Sequence, residues 1–113
     1  MASKSEVEAF LSTFKAKMEV FDVVFLERDK NLQTLIDLEI TPVNRKQLLK
    51  ELAVEDYFRG PKKDSDNGPD LWEFGKLLRQ KEVYIKITIG MMNKPVICIS
   101  FHLAERAIEY PYK

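Results

Sequence analysis

The sequence holds one cysteine, one histidine and one tryptophan in 113 residues, and no apolar run approaching the roughly 18 residues of a membrane-spanning helix. The lone Cys98 excludes an internal disulfide and a cysteine-based zinc site, and it agrees with a reducing compartment. The start, MASKSEVEAF, lacks an unbroken apolar stretch, so no signal peptide is expected and a cytoplasmic location is the default. No internal repeat and no low-complexity segment occur. Net charge is also missing: 18 basic residues balance 18 acidic ones, which removes any global field that would draw nucleic acid. The balance is uneven along the chain. Residues 1 to 57 carry 8 Lys or Arg against 11 Asp or Glu, whereas residues 58 to 113 carry 10 against 7.

What remains is a chain of globular composition, 45% hydrophobic and 32% charged, long enough to bury one core without staples. Its clearest element is the stretch Glu82 to Leu103, EVYIKITIG-MMNK-PVICISFHL, two β-rich runs around a turn containing Gly90 and Asn93. That pattern predicts a β-hairpin. Alternation puts Val83, Ile85, Ile87 and Ile89 on one face and Tyr84, Lys86 and Thr88 on the other. In the second run Ile97, Ile99 and Phe101 form the apolar set, with Val96, Cys98, Ser100 and His102 opposite. If both apolar sets face one core, Tyr84, Lys86 and the only histidine share the other surface.

Upstream, Ser3 with Glu6 three residues later opens an amphipathic helix whose apolar stripe is Val7, Phe10, Leu11, Phe14 and Met18. Val20 to Leu26 suits an edge strand. Asn31 to Leu38 reads as a short helix with a stripe at Leu32, Leu35 and Ile36. A further helix, Val43 to Leu52, is expected to turn Leu48, Leu49 and Leu52 inward and Arg45, Lys46 and Lys50 outward. The segment KKDSDNGPD should be a mobile surface loop. Leu71 to Leu78 reads as a strand beside the hairpin, with Trp72 and Phe74 in the core and Glu73 on the opposite face, and a helical turn is the rival reading. The tail AERAIEYPYK reads as irregular or as a short extra turn ended by Pro111, with Tyr110 and Tyr112 able to pack on the body.

Glu73, Tyr84, Lys86 and His102 thus fall on one sheet surface, with Arg59 just before the loop. A carboxylate, an imidazole and fixed cations are what cleavage of RNA by its own 2′-hydroxyl requires: proton transfer at both oxygens and positive charge at the phosphate. Histidine as a residue type suits the acid, and the planar arginine fork suits the phosphate. Lys62, Lys63, Arg79 and Lys81 are candidates for additional backbone contacts. Trp72 could stack on a base, but its phase assigns it to the core. Singly, each of these residues reads as ordinary packing or a wetted surface charge.

The segments EDYFRGP, LWEFGK, EVYIKITI and VICISF resemble, in order and spacing, the C-terminal half of the MqsR toxins, type II toxin-antitoxin ribonucleases with a RelE-like fold. The resemblance covers about Asp56 to Leu103. It implies a metal-independent mRNA endoribonuclease, without cofactor, that arrests translation and is neutralised by a cognate antitoxin, with the ribosome as a further candidate partner. By position it places family roles on Arg59, Glu73, Tyr84 and His102. At Glu73 and His102 the best-known family pattern has a glutamine and a lysine, and the pair found here looks more like the Glu and His of other RelE-like nucleases. The expectation is therefore an α+β, RelE-like domain with N-terminal helices on one face of a small antiparallel sheet. Glu73 is expected as general base and His102 as general acid, with Arg59 and Lys86 or Tyr84 at the phosphate and Lys62 and Lys63 binding substrate. The alternatives are a non-enzymatic module that binds RNA or protein on the same face, and a degenerate toxin kept for complex formation.

Overall fold

The computed structural model describes residues 1–64 and 68–113. Helix α1, Lys4–Phe21, begins at the expected capping box: the Ser3 hydroxyl accepts from the Glu6 amide at 3.2 Å, and the Glu6 carboxylate accepts from the Ser3 amide at 3.0 Å. All five residues of its stripe are buried. The helix runs on through Val20 and Phe21 and stops at Asp22, where φ is 71°. The expected strand Val20 to Leu26 is for that reason only β1, Val23–Phe25, and it does lie at the sheet edge.

Helices α2, Asp29–Leu38, and α3, Pro42–Lys50, come next. After a single 3-10 turn the chain forms β2, Tyr57–Lys62, then β3, Leu71–Leu78, β4, Lys81–Thr88, and β5, Val96–Leu103. The five strands make one sheet in the order β1-β5-β4-β3-β2. Three helices pack against it, which makes the domain α+β. The sheet is mixed, not antiparallel as expected: β1 runs parallel to β5, with Val23 opposite Val96 and Phe25 opposite Cys98. The long connection through α2, α3 and the other strands allows this, since a parallel pair needs a crossover and not a tight turn.

Helix α2 reverses its expected faces. Leu32 and Ile36 are 41% and 70% exposed, while Asn31, Thr34 and Leu38 are buried. The reason lies in β5. Pairing with β1 stops at Cys98, so the next backbone groups of β5 need other partners. Asn31 supplies them: its amide group donates to the carbonyls of Leu26 (2.7 Å) and Ile99 (3.1 Å) and accepts from the Phe101 amide (3.0 Å). Thr34 accepts from the Leu103 amide at 3.2 Å. Two polar side chains stand in for a missing stretch of strand. Asn31→Leu is expected to destabilise the fold by roughly 3 kcal/mol, because it orphans buried groups worth about 1–3 kcal/mol each. Ile36→Lys should stay within about 0.5 kcal/mol. Urea unfolding of the two variants checks the contrast.

Helix α3 is capped by Thr41 and Asn44, with Pro42 at its first position, and buries Leu49. Arg45, expected in solvent, is 3% exposed: its guanidinium lies 3.8 Å over the Phe25 ring and reaches Glu27 at 3.2 Å. On the sheet's core side Phe10 of α1 stacks on Trp72 with centroids 4.3 Å apart, which seats the tryptophan and Phe74 as expected. The tail is irregular, and Tyr112 stacks on Tyr57 at 5.7 Å.

The hairpin of β4 and β5 forms with one correction. Lys86 pairs with Ser100 but Ile87 pairs with Cys98, so Ile99 is an extra residue, a β-bulge. Past the bulge the phase of β5 flips, burying Cys98 and Val96 and leaving Ile97 half-buried across from Thr88. Ile97, Ile99 and Phe101 therefore do not share a face. His102 lies on the other side of the bulge, in register with Tyr84.

Candidate active site on the second face of the sheet

Cross-strand pairing fixes which side chains meet. Arg59 lies opposite Glu73, Glu73 opposite Lys86, Lys86 opposite Ser100, and Tyr84 opposite His102. Partners in register project from the same side of a sheet, so Glu73, Tyr84, Lys86 and His102 gather on one surface, as the alternation required, and pairing with Glu73 brings Arg59 to them. Strand β2, which carries Arg59, is absent from the sequence reading because RGP at its centre reads as a turn. Gly60 there sits at φ 121° and passes so close to β3 that a Cβ would lie 2.9 Å from the Leu71 carbonyl oxygen.

Glu73 is the hub. Its side chain is 2% exposed, and both carboxylate oxygens are engaged. Arg59 Nε donates to Oε2 at 2.9 Å, Lys62 Nζ lies 3.2 Å from the same oxygen, and the Tyr84 hydroxyl donates to Oε1. Burial pushes the Glu73 carboxyl up, but the bonds from Arg59, Tyr84 and Lys62 outweigh it and hold the group below its usual range. Burial first, and then the Glu73 charge, push the Tyr84 phenol well up, so it stays protonated and donating. A carboxylate whose folded pKa is depressed contributes stability above its unfolded value, and that contribution is lost as pH falls through the folded one. The chain is expected to lose stability as pH drops below the ordinary value of 4.5. In Glu73→Gln this acid-side slope should be shallower, as read by thermal unfolding across pH 2 to 6.

His102 sits beside the hub, its ring centroid 5.3 Å from that of Tyr84. Its Nδ1 is 3.0 Å from the Leu103 carbonyl oxygen. A carbonyl only accepts, so Nδ1 carries a hydrogen and Nε2 is left for chemistry. Cys98 is fully buried, and burial pushes its thiol up to about 12. Among the described residues no group of three or more His, Cys, Asp or Glu is placed to hold a metal ion, and no helix is long and apolar enough to cross a membrane.

A groove of about 450 Å³ opens over this surface, lined by Arg59, Tyr84, Lys86, Ser100 and His102. Three residues that sequence reasoning missed also line it: Arg28, Phe58 and Arg106. Phe58 was hidden with β2, where the register shifts between Tyr57 and Arg59, so simple alternation would have put it on the face opposite Arg59. Arg28 and Arg106 sit in a charged turn and an irregular tail, where no periodicity could assign them a direction. The tail forms one wall of the groove because Glu82 accepts from the Ile108 amide at 2.9 Å and from the Tyr110 hydroxyl at 3.0 Å. Gly75 permits this crossing, since a Cβ there would fall 2.7 Å from Ile108 Cδ1.

Other expected contributors lie apart. Lys62 reaches the site only through Glu73, and Lys63 is exposed beyond the end of β2. Arg79 sits in the β3–β4 turn, 3.4 Å from Glu39, and Lys81 is exposed at the start of β4. The expected mobile loop includes residues 65–67, which lie outside the described residues. No family model, curated protein or solved structure matches the chain.

Proposed function

We propose that the chain is a metal-independent endoribonuclease of the RelE-like, MqsR type: a toxin that cleaves mRNA in the cytoplasm, arrests translation and is held in check by a cognate antitoxin. One observation carries the reading: cations and a histidine with a free Nε2 line a single groove, and a buried carboxylate beneath it anchors Arg59. The resemblance across Asp56 to Leu103 adds support, because that stretch forms β2 to β5, the strands that build the groove.

In this reading the ribose 2′-oxygen attacks phosphorus and a new 2′-O–P bond forms as the P–O5′ bond breaks. Arg59 and Lys86 hold the phosphate oxygens where negative charge builds. His102 Nε2 delivers a proton to the departing 5′-oxygen, and the 2′ proton passes to water. Glu73, expected as general base, has its oxygens taken up by Arg59, Lys62 and Tyr84. Its part is to hold Arg59 and Tyr84 in place, with low proton affinity.

The test is incubation of the purified chain with an end-labelled single-stranded RNA in excess EDTA. Cleavage is the expected result. Tight binding without cleavage would move the assignment to a non-catalytic module on the same face.

A further inference from the structure

The groove carries more positive charge than one reacting phosphate needs. In a chain of zero net charge, Arg28, Arg59, Lys86 and Arg106 line it against a single acid, Glu105. Glu105 is already taken by Lys30, at 2.5 Å. Arg59 is anchored by Glu73 and, with Lys86, belongs to the reacting centre. Arg28 and Arg106 come from outside the sheet, the first from the turn before α2 and the second from the segment after β5. Both are exposed, and neither side chain forms a hydrogen bond or ion pair among the described residues.

We infer that Arg28 and Arg106 bind the phosphates that flank the scissile one, so that the substrate is a single-stranded RNA spanning several nucleotides. This rests on the ribonuclease reading of the groove. The rings of Phe58 and Tyr84 line the same groove, which fits a strand whose bases are unstacked and free to lie on aromatic faces. Paired RNA would keep its bases from them. Arg106 holds its place because Glu82 pins the tail at Ile108 and Tyr110.

The experiment is fluorescence anisotropy with a labelled 2′-O-methyl 12-mer, which binds but lacks the attacking hydroxyl, titrated at several salt concentrations. Each phosphate contact in a single strand contributes about 0.7 to the slope of log affinity against log salt. Arg28→Gln and Arg106→Gln are each expected to weaken binding and to reduce the slope by about 0.7. The double variant should lose about 1.4, and Arg106→Lys should keep the slope of the parent. Arg79→Gln, away from the groove, should match the parent. If the double variant binds with the parent's slope and affinity, the inference is wrong while the ribonuclease reading stands. If a duplex of the same length binds the parent as tightly as the single strand, the single-strand assignment is wrong. If the parent binds neither, the ribonuclease reading itself fails and this inference falls with it.

Discussion

His102→Gln is expected to slow RNA cleavage by about 10²- to 10⁴-fold, the usual contribution of a positioned proton donor. Glutamine keeps a polar side chain of similar reach, and the half-buried position of His102 between Tyr84 and Leu103 makes the fold tolerant of the change. RNA affinity should therefore alter little while the rate of the chemical step collapses. An unchanged single-turnover rate at equal folded concentration would remove His102 from the chemistry.

Glu73→Gln is expected to cost roughly 10²-fold in rate, the scale of a misplacement of about 1 Å at a reacting centre. The cause is indirect. The neutral amide keeps the shape of the carboxylate but withdraws the charge that Arg59 and Lys62 meet at 2.9 and 3.2 Å. It also presents a donor where one oxygen accepted. Arg59 is then free to leave the phosphate position. Two roles for Glu73 are separable by pH. As a general base it would give the parent's rate an acidic limb that Glu73→Gln abolishes. As the anchor of Arg59 and Tyr84 it lowers the rate across the whole profile and leaves the shape intact. The second outcome is expected, because the bonds from Arg59, Tyr84 and Lys62 hold the carboxyl below its usual range.

The candidate site was more legible in the sequence than the fold. Period-2 alternation in LWEFGKLL and EVYIKIT determined the side of Glu73, Tyr84 and Lys86, since both strands run without interruption in the structure. His102 was placed correctly although the phase of the first half of its strand was not. The bulge at Ile99 separates it from Cys98, and nothing local in VICISFHL marks an extra residue. A bulge answers to the partner strand, so one strand's pattern cannot reveal it. The faces of α2 failed for a similar reason: Asn31 and Thr34 are buried because β5 lacks a strand neighbour beyond Cys98, a fact of topology. Arg45 shows a third limit. Its type and spacing read as a solvated charge, whereas in the fold the aromatic ring of Phe25 beneath it and the carboxylate of Glu27 offset its burial.

The most direct measurement is the chemistry of the cut ends. A labelled single-stranded RNA is incubated with the purified chain in EDTA, and the products are resolved by mass spectrometry. A 2′,3′-cyclic phosphate is expected on one fragment and a 5′-hydroxyl on the other, with no cut where a single 2′-deoxynucleotide replaces the attacking ribose. Products bearing a 5′-phosphate, or equal cleavage at the deoxy position, would contradict attack by the 2′-hydroxyl.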